Sequence, residues 1–158
     1  MRHYRARLGR FLALSAFVVL LLSSGQCLGD ELLHLWQKNP RTWAIVMEGG
    51  EGVLTFNRET GQYQFQGRRL QPEKGYALIR YTGHAPYGHI VARAGSDNQG
   101  QLNFAGKWHE WTGKFWLVLG TDVAGVPGGF GPAGIDHLES WHPRDYLFEA
   151  EELISEDK

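Results

Sequence analysis

The stretch KFWLVLGTDVAGVPGGFGPAGIDHLESWHPRDYLFE, residues 114–149, decides between two kinds of protein. An apolar run, Phe115 to Leu119, leads to Gly129-Phe130-Gly131-Pro132-Ala133-Gly134, which spells G-x-G-x-x-G. In a parallel α/β fold such glycines bring backbone close to a dinucleotide's pyrophosphate, and the next helix points its N-terminus at it. Here no helical period follows Gly134, and Pro143 breaks the segment within nine residues. Pro127 and Pro132 remove backbone donors, and a phosphate cradle is made of such donors. No lysine or arginine occurs from Thr121 to Pro143, while Asp122 and Asp136 would repel a diphosphate. The segment reads as a long glycine-rich loop that leaves a strand apolar on both faces.

Upstream, the pattern is one of short strands. GVLTFN and QYQFQG flank RETG, with Leu54/Phe56 and Tyr63/Phe65 alternating against polar neighbours. That is a hairpin with Gly61 at the position needing positive φ. TWAIVM (42–47), YALIRYT (76–82), GHIVARA (88–94), QLNFAGKW (101–108) and KFWLVLG (114–120) read as further strands, and YLFEAEEL (146–153) as the last. Trp116, Leu117 and Leu119 are expected in the core. ELLHLWQKNP (31–40) reads as one short helix stopped before Pro40. The expected fold is all-β: a single antiparallel β-sandwich, or a barrel, of about seven strands with at most one short N-terminal helix.

The N-terminus sets the expected compartment. MRHYRARLGR carries four arginines and no acid, FLALSAFVVLLL follows, and SSGQCLG is small and polar. This is the order of a secretory signal peptide, and its apolar run falls short of the ~20 residues of a membrane span. Residues 1–29 are the expected signal, 30–153 a single β domain and 154–158 a disordered acidic tail. Lipidation at Cys27 is the alternative, disfavoured by the bulky Gln26 before it. Residues 30–158 contain no cysteine and carry 12 Lys+Arg against 17 Asp+Glu, a net charge of −5. That balance argues against nucleic acid as a partner, and no second apolar stretch is long enough to span a membrane.

At KNPRTWAIV, LTFN, YALIRY, KFWLVLGTDV and WHPRDYLFE the chain resembles a family of secreted prokaryotic proteins of unassigned function. Its pattern is NP-x-TW-x-IV, then Y-x-LI-x-Y, K-x-WLVL-x-x-DV and W-x-P-x-x-YLFE. The resemblance covers about residues 38–153. It implies a compact extracytoplasmic β domain, and no enzyme activity. The chain departs from the pattern at TGHAPYGH, where relatives carry an acidic, proline-containing turn with a tryptophan.

Residues able to carry chemistry are few. His84 and His89 flank one loop, and His137 and His142 lie in another with Asp122 and Asp136. Brought together, they could bind a divalent metal. No other cofactor is implied. Among the aromatics, Trp108 and Trp111 flank the turn HE and Tyr87 lies near a loop. Exposed, these would stack on a carbohydrate or anchor a surface protein. No catalytic residue is identified: there is no G-x-S-x-G elbow, and Ser96 and Ser140 lack a local signature. The readings that remain are a secreted or cell-surface non-enzymatic binding or assembly domain, a periplasmic metal-binding protein, and a secreted hydrolase.

Overall fold

The computed structural model describes residues 29–83, 88–125, 135, 139–150 and 154. Eight strands run β1 (Asp30–Gln37), β2 (Glu51–Asn57), β3 (Gln62–Arg68), β4 (Gly75–Tyr81), β5 (Gly88–Gly95), β6 (Leu102–Lys107), β7 (Lys114–Leu119) and β8 (Leu147–Glu149). Two 3-10 turns, Gly120–Asp122 and Pro143–Asp145, are the only helical pieces among the described residues. The strands form one sheet in the order β5-β4-β7-β8-β1-β2-β3-β6, and every pairing is antiparallel. The end strands β5 and β6 lie against each other, so the sheet curls into a nearly closed barrel. Of the two all-β forms expected, the barrel is the one adopted. A small barrel of this strand number is filled by its own side chains.

Two apolar clusters hold it. The inner one gathers Leu33, Leu35, Leu54, Phe56, Phe65 and Leu117 with their neighbours inside the barrel. At the β2–β3 wall Gly52 pairs with Gly67, and the Phe65 ring lies over Gly52 so closely that an added Cβ would stand 2.4 Å from it. The outer cluster lies on β4, β5, β7 and β8 and includes Ile79, Ile90, Val118, Val123, Ile135 and Phe148. β7 therefore has apolar partners on both faces. Leu117 is fully buried, whereas Trp116 and Leu119 are half-buried.

Three expectations are corrected. Residues 31–37 form strand β1, not a helix. Leu32, Leu33, Leu35 and Trp36 fit a helical stripe, but pairing with both β2 and β8 turns Leu33 and Leu35 inward and leaves Leu32 and His34 exposed. Residues 42–47 form no strand beyond a single bridge, Lys38 to Ile45. The last strand described is three residues long, and Ile154 bridges Gly113 and packs against the inner cluster. The glycine hairpin is as expected, with Gly61 at φ +70°. Gly129–Gly134 lies outside the described residues. The strand before it, β7, has only antiparallel neighbours, so the parallel βαβ frame of a dinucleotide site is missing there.

Candidate functional site

Two of the candidate metal ligands meet. The Asp122 side chain, 1% exposed at the end of β7, takes His142 Nδ1 on Oδ2 at 2.8 Å. The same oxygen accepts a short hydrogen bond from the Tyr146 hydroxyl, and Oδ1 accepts from Thr121 Oγ1 at 3.1 Å. Glu139 N donates to the Asp122 carbonyl at 2.9 Å. One buried carboxylate therefore ties the segment 139–146 to the end of β7. Burial, and then the Asp122 carboxylate on its hydroxyl, push the Tyr146 phenol far above its ordinary value. His142 is exposed and directs Nδ1 inward, which leaves Nε2 for an outside partner. Tyr146 was not anticipated as part of this cluster; a phenol beside WHPRD carries no local signal of its partner.

The other candidates do not join it. His89 is half-buried, its ring tilted against Trp108 at 6.1 Å. His84, Tyr87, Asp136 and His137 lie outside the described residues. Among the described residues no group of three histidines, cysteines or carboxylates is placed to hold a metal ion.

The expected aromatic platform is largely internal. Trp111 is 2% exposed and stacks on Phe56 at 4.5 Å, so it offers no face to a ligand. Its loop is drawn inward by two arginines. Arg58 Nη1 donates to the Trp111 carbonyl at 3.1 Å, and Arg80 donates to the Thr112 carbonyl and hydroxyl, each at 2.8 Å. Trp108 is half-buried, and its indole N–H is taken by the Glu110 carbonyl at 3.0 Å.

Exposed apolar surface occurs instead at 42–47, where a strand was expected. Between β1 and β2 the chain folds into a tight hairpin. Val46 N donates to Gln37 O at 2.9 Å, Asn39 N to Ala44 O at 2.8 Å, and Trp43 N to Asn39 O at 2.8 Å. Asn39 Oδ1 accepts Arg41 N at 2.9 Å, an Asx turn that starts the reversal. Trp43 sits at φ +57°, where a side chain is costly. This ordered hairpin holds out Trp43, Ile45, Val46 and Met47, the last 85% exposed, beside Leu32 at 62%. Leu32, Trp43, Ala44 and Ile45, with Lys38 and Ala150, line a groove of about 580 Å³.

Behind the hairpin, ring contacts continue across the outer face of the barrel through the buried Phe148. Trp43 meets Phe148 edge-on at 5.3 Å, Phe148 meets Trp116 at 5.3 Å, and Trp116 stacks on Tyr81 at 4.1 Å. Trp141, half exposed, leans on Trp116 and Tyr146. Comparison with protein-family models, curated proteins and solved structures returned no match. The candidate site therefore stands on its own geometry: an aromatic band ending in a preformed apolar hairpin. One feature of the sequence could have found it: TWAIVM, expected as a strand, lacks alternation and is enclosed by Asn39-Pro40 and Gly49-Gly50, both turn signals.

Proposed function

We propose that this chain is an exported, non-enzymatic β-barrel domain that works by binding, with the hairpin 38–50 and the adjoining aromatic band as its working face. One observation carries the reading. The barrel already buries two apolar clusters, yet a hydrogen-bonded hairpin leaves four further apolar side chains partly exposed, Met47 most of all. Large exposed apolar patches mark interaction sites, and tryptophan is the residue most enriched where binding energy concentrates. The arginine-rich start and apolar run of residues 1–22 support export, and the resemblance to secreted proteins points the same way. A carbohydrate or a protein of the cell surface suits an aromatic band of this kind.

The test is retention of the exported protein on envelopes of its own cells. Wild-type protein should be retained, and Trp43→Ser/Met47→Ser should be released while melting at the same temperature. Equal retention of the two would remove the reading.

The Asp122–His142 bond favours a second reading, metal binding. A carboxylate on Nδ1 fixes the imidazole tautomer that coordinates through Nε2. Metal content of untagged protein, measured for wild type and His142→Ala, decides it. Stoichiometric metal lost in the variant supports this reading, and no metal in either refutes it.

A further inference from the structure

The hairpin divides two grooves of different character. Trp43 and Ile45 face the apolar one. Val46 faces a second, of about 390 Å³, whose charged lining is Lys38, Arg41 and Arg144, with no acid among its lining residues. Arg41 and Arg144 are exposed. Lys38 spends one N–H on the Ala150 carbonyl at 2.8 Å and belongs to both grooves. Of the acids around this end, Glu149 is buried and feels the Lys38 charge. Glu51 is paired with Arg68 and Arg69, the first of which holds its carboxyl below the usual range, and Asp145 accepts from Gln71. Glu48 is exposed. The whole chain is net −1, so three cations here are not the by-product of a basic protein.

We infer that this end of the barrel docks on an anionic lipid surface. Trp43, Ile45, Val46 and Met47 enter the interface, and Lys38, Arg41 and Arg144 meet headgroup phosphates. The inference rests on the reading that the hairpin is the working face, and it names the partner. The layering selects that partner: an apolar tip flanked by a cationic groove matches acyl chains beneath a negatively charged headgroup layer. Tryptophan at the rim fits a ring that prefers the boundary between the two. A symmetric dimer on this face would set one cationic groove beside another, which like charge opposes. The hairpin is held by its own backbone bonds, so docking orders little that is not ordered already.

The experiment uses the exported form of the protein, co-sedimented with vesicles of phosphatidylglycerol mixed into phosphatidylcholine and with vesicles of phosphatidylcholine alone. Variants share the wild-type N-terminus, so any contribution from it cancels. The wild type should sediment with the anionic vesicles and much less with the neutral ones. Ile45→Ser/Met47→Ser and Arg41→Glu/Arg144→Glu should each lower the partition coefficient by roughly tenfold or more, and added salt should weaken wild-type binding. Should a double variant lower the melting temperature, Met47→Asp at the most exposed position replaces it. Equal partition onto both vesicle types, no partition at all, or variants that match the wild type would overturn the inference. The two readings fail differently. Hairpin variants that release from envelopes while vesicles capture nothing leave the working face standing and refute lipid as its partner. Variants that stay on envelopes refute both.

Discussion

Trp111 and Trp43 stand in loops at opposite ends of the β1–β2 pair and meet opposite fates. Trp111 lies beside Phe56, near the end of β2, and is buried at the barrel mouth. Trp43 lies in the turn that enters β2 and is 51% exposed. The side chains are the same, so apolarity does not decide. The backbones differ. Arg58 and Arg80 grip the carbonyls of residues 111 and 112 and fold that loop into the barrel. The turn of the hairpin at 38–50 closes on its own backbone, through Asn39, Gln37 and Val46, while Arg69 grips only its base, at the Gly49 carbonyl at 2.8 Å. In these two loops the tryptophan is buried where arginines claim the carbonyls beside it, and displayed where the turn beside it closes on itself.

The largest expected effect separates the two tryptophans. Trp111→Ala should cost about 3–5 kcal/mol, because it empties a site ringed by Phe56, Tyr63 and Phe115. Chemical denaturation measures it. A loss under about 1 kcal/mol would mean that the barrel mouth is not packed as described.

Tyr146→Phe extends the contrast to a second anchored loop. It leaves the buried Asp122 carboxylate one donor short, for about 1–3 kcal/mol. The pH dependence has a definite sign. The folded phenol titrates well above the unfolded value near 10, so its contribution is complete below that pH. It is lost as the pH rises from there toward the folded value. Alkaline melts should therefore fall less steeply in the variant than in the wild type. Tyr63 and Tyr76, also raised by burial, keep a residual slope.

Trp43→Gly should change stability by less than about 1 kcal/mol. It loses an edge contact with Phe148, worth about 0.5–1.5 kcal/mol in a typical aromatic pair, and regains the freedom that a residue at φ +57° lacks. A cost near that of Trp111→Ala would erase the distinction between the two loops.

The smallest effect concerns Glu149, which is buried in β8 with Oε2 unpartnered among the described residues. Burial raises its pKa above 4.5 against the pull of Lys114 and Lys38. That form of stability is complete below the unfolded pKa and lost as pH rises through the folded one. Glu149→Gln should thus raise the melting temperature at neutral pH by no more than about 2–4 °C, the scale of ~1 kcal/mol in a chain of this size. The gain should vanish near pH 4.

Much of the barrel was legible from period and punctuation. The alternation Leu54/Phe56 and Tyr63/Phe65 gave β2 and β3 with Gly61 between them, and the doubly apolar FWLVL marked a strand covered on both sides. β1 was misread because LLHLW satisfies both periods, and only pairing with β2 and β8, far off in sequence, selects the extended one. The candidate site was less legible for a related reason. Asp122 and His142 were singled out as loop residues, but the Tyr146 bond that joins them to the fold spans 24 positions. The burial of Trp111 was not legible because the arginines that draw its loop inward lie 53 and 32 positions away, from Arg58 to Trp111 and from Arg80 to Thr112. Side-chain grips on distant backbone leave no local trace.

The central claim is that the barrel displays the hairpin without needing it. The most direct measurement follows thermal melting and envelope retention together in Trp43→Ser/Met47→Ser and in Trp111→Ala. The account predicts an unchanged melt with lost retention for the first, and a lowered melt with retention intact below that melt for the second. A first variant that melts early, or one that melts normally and is still retained, would contradict it.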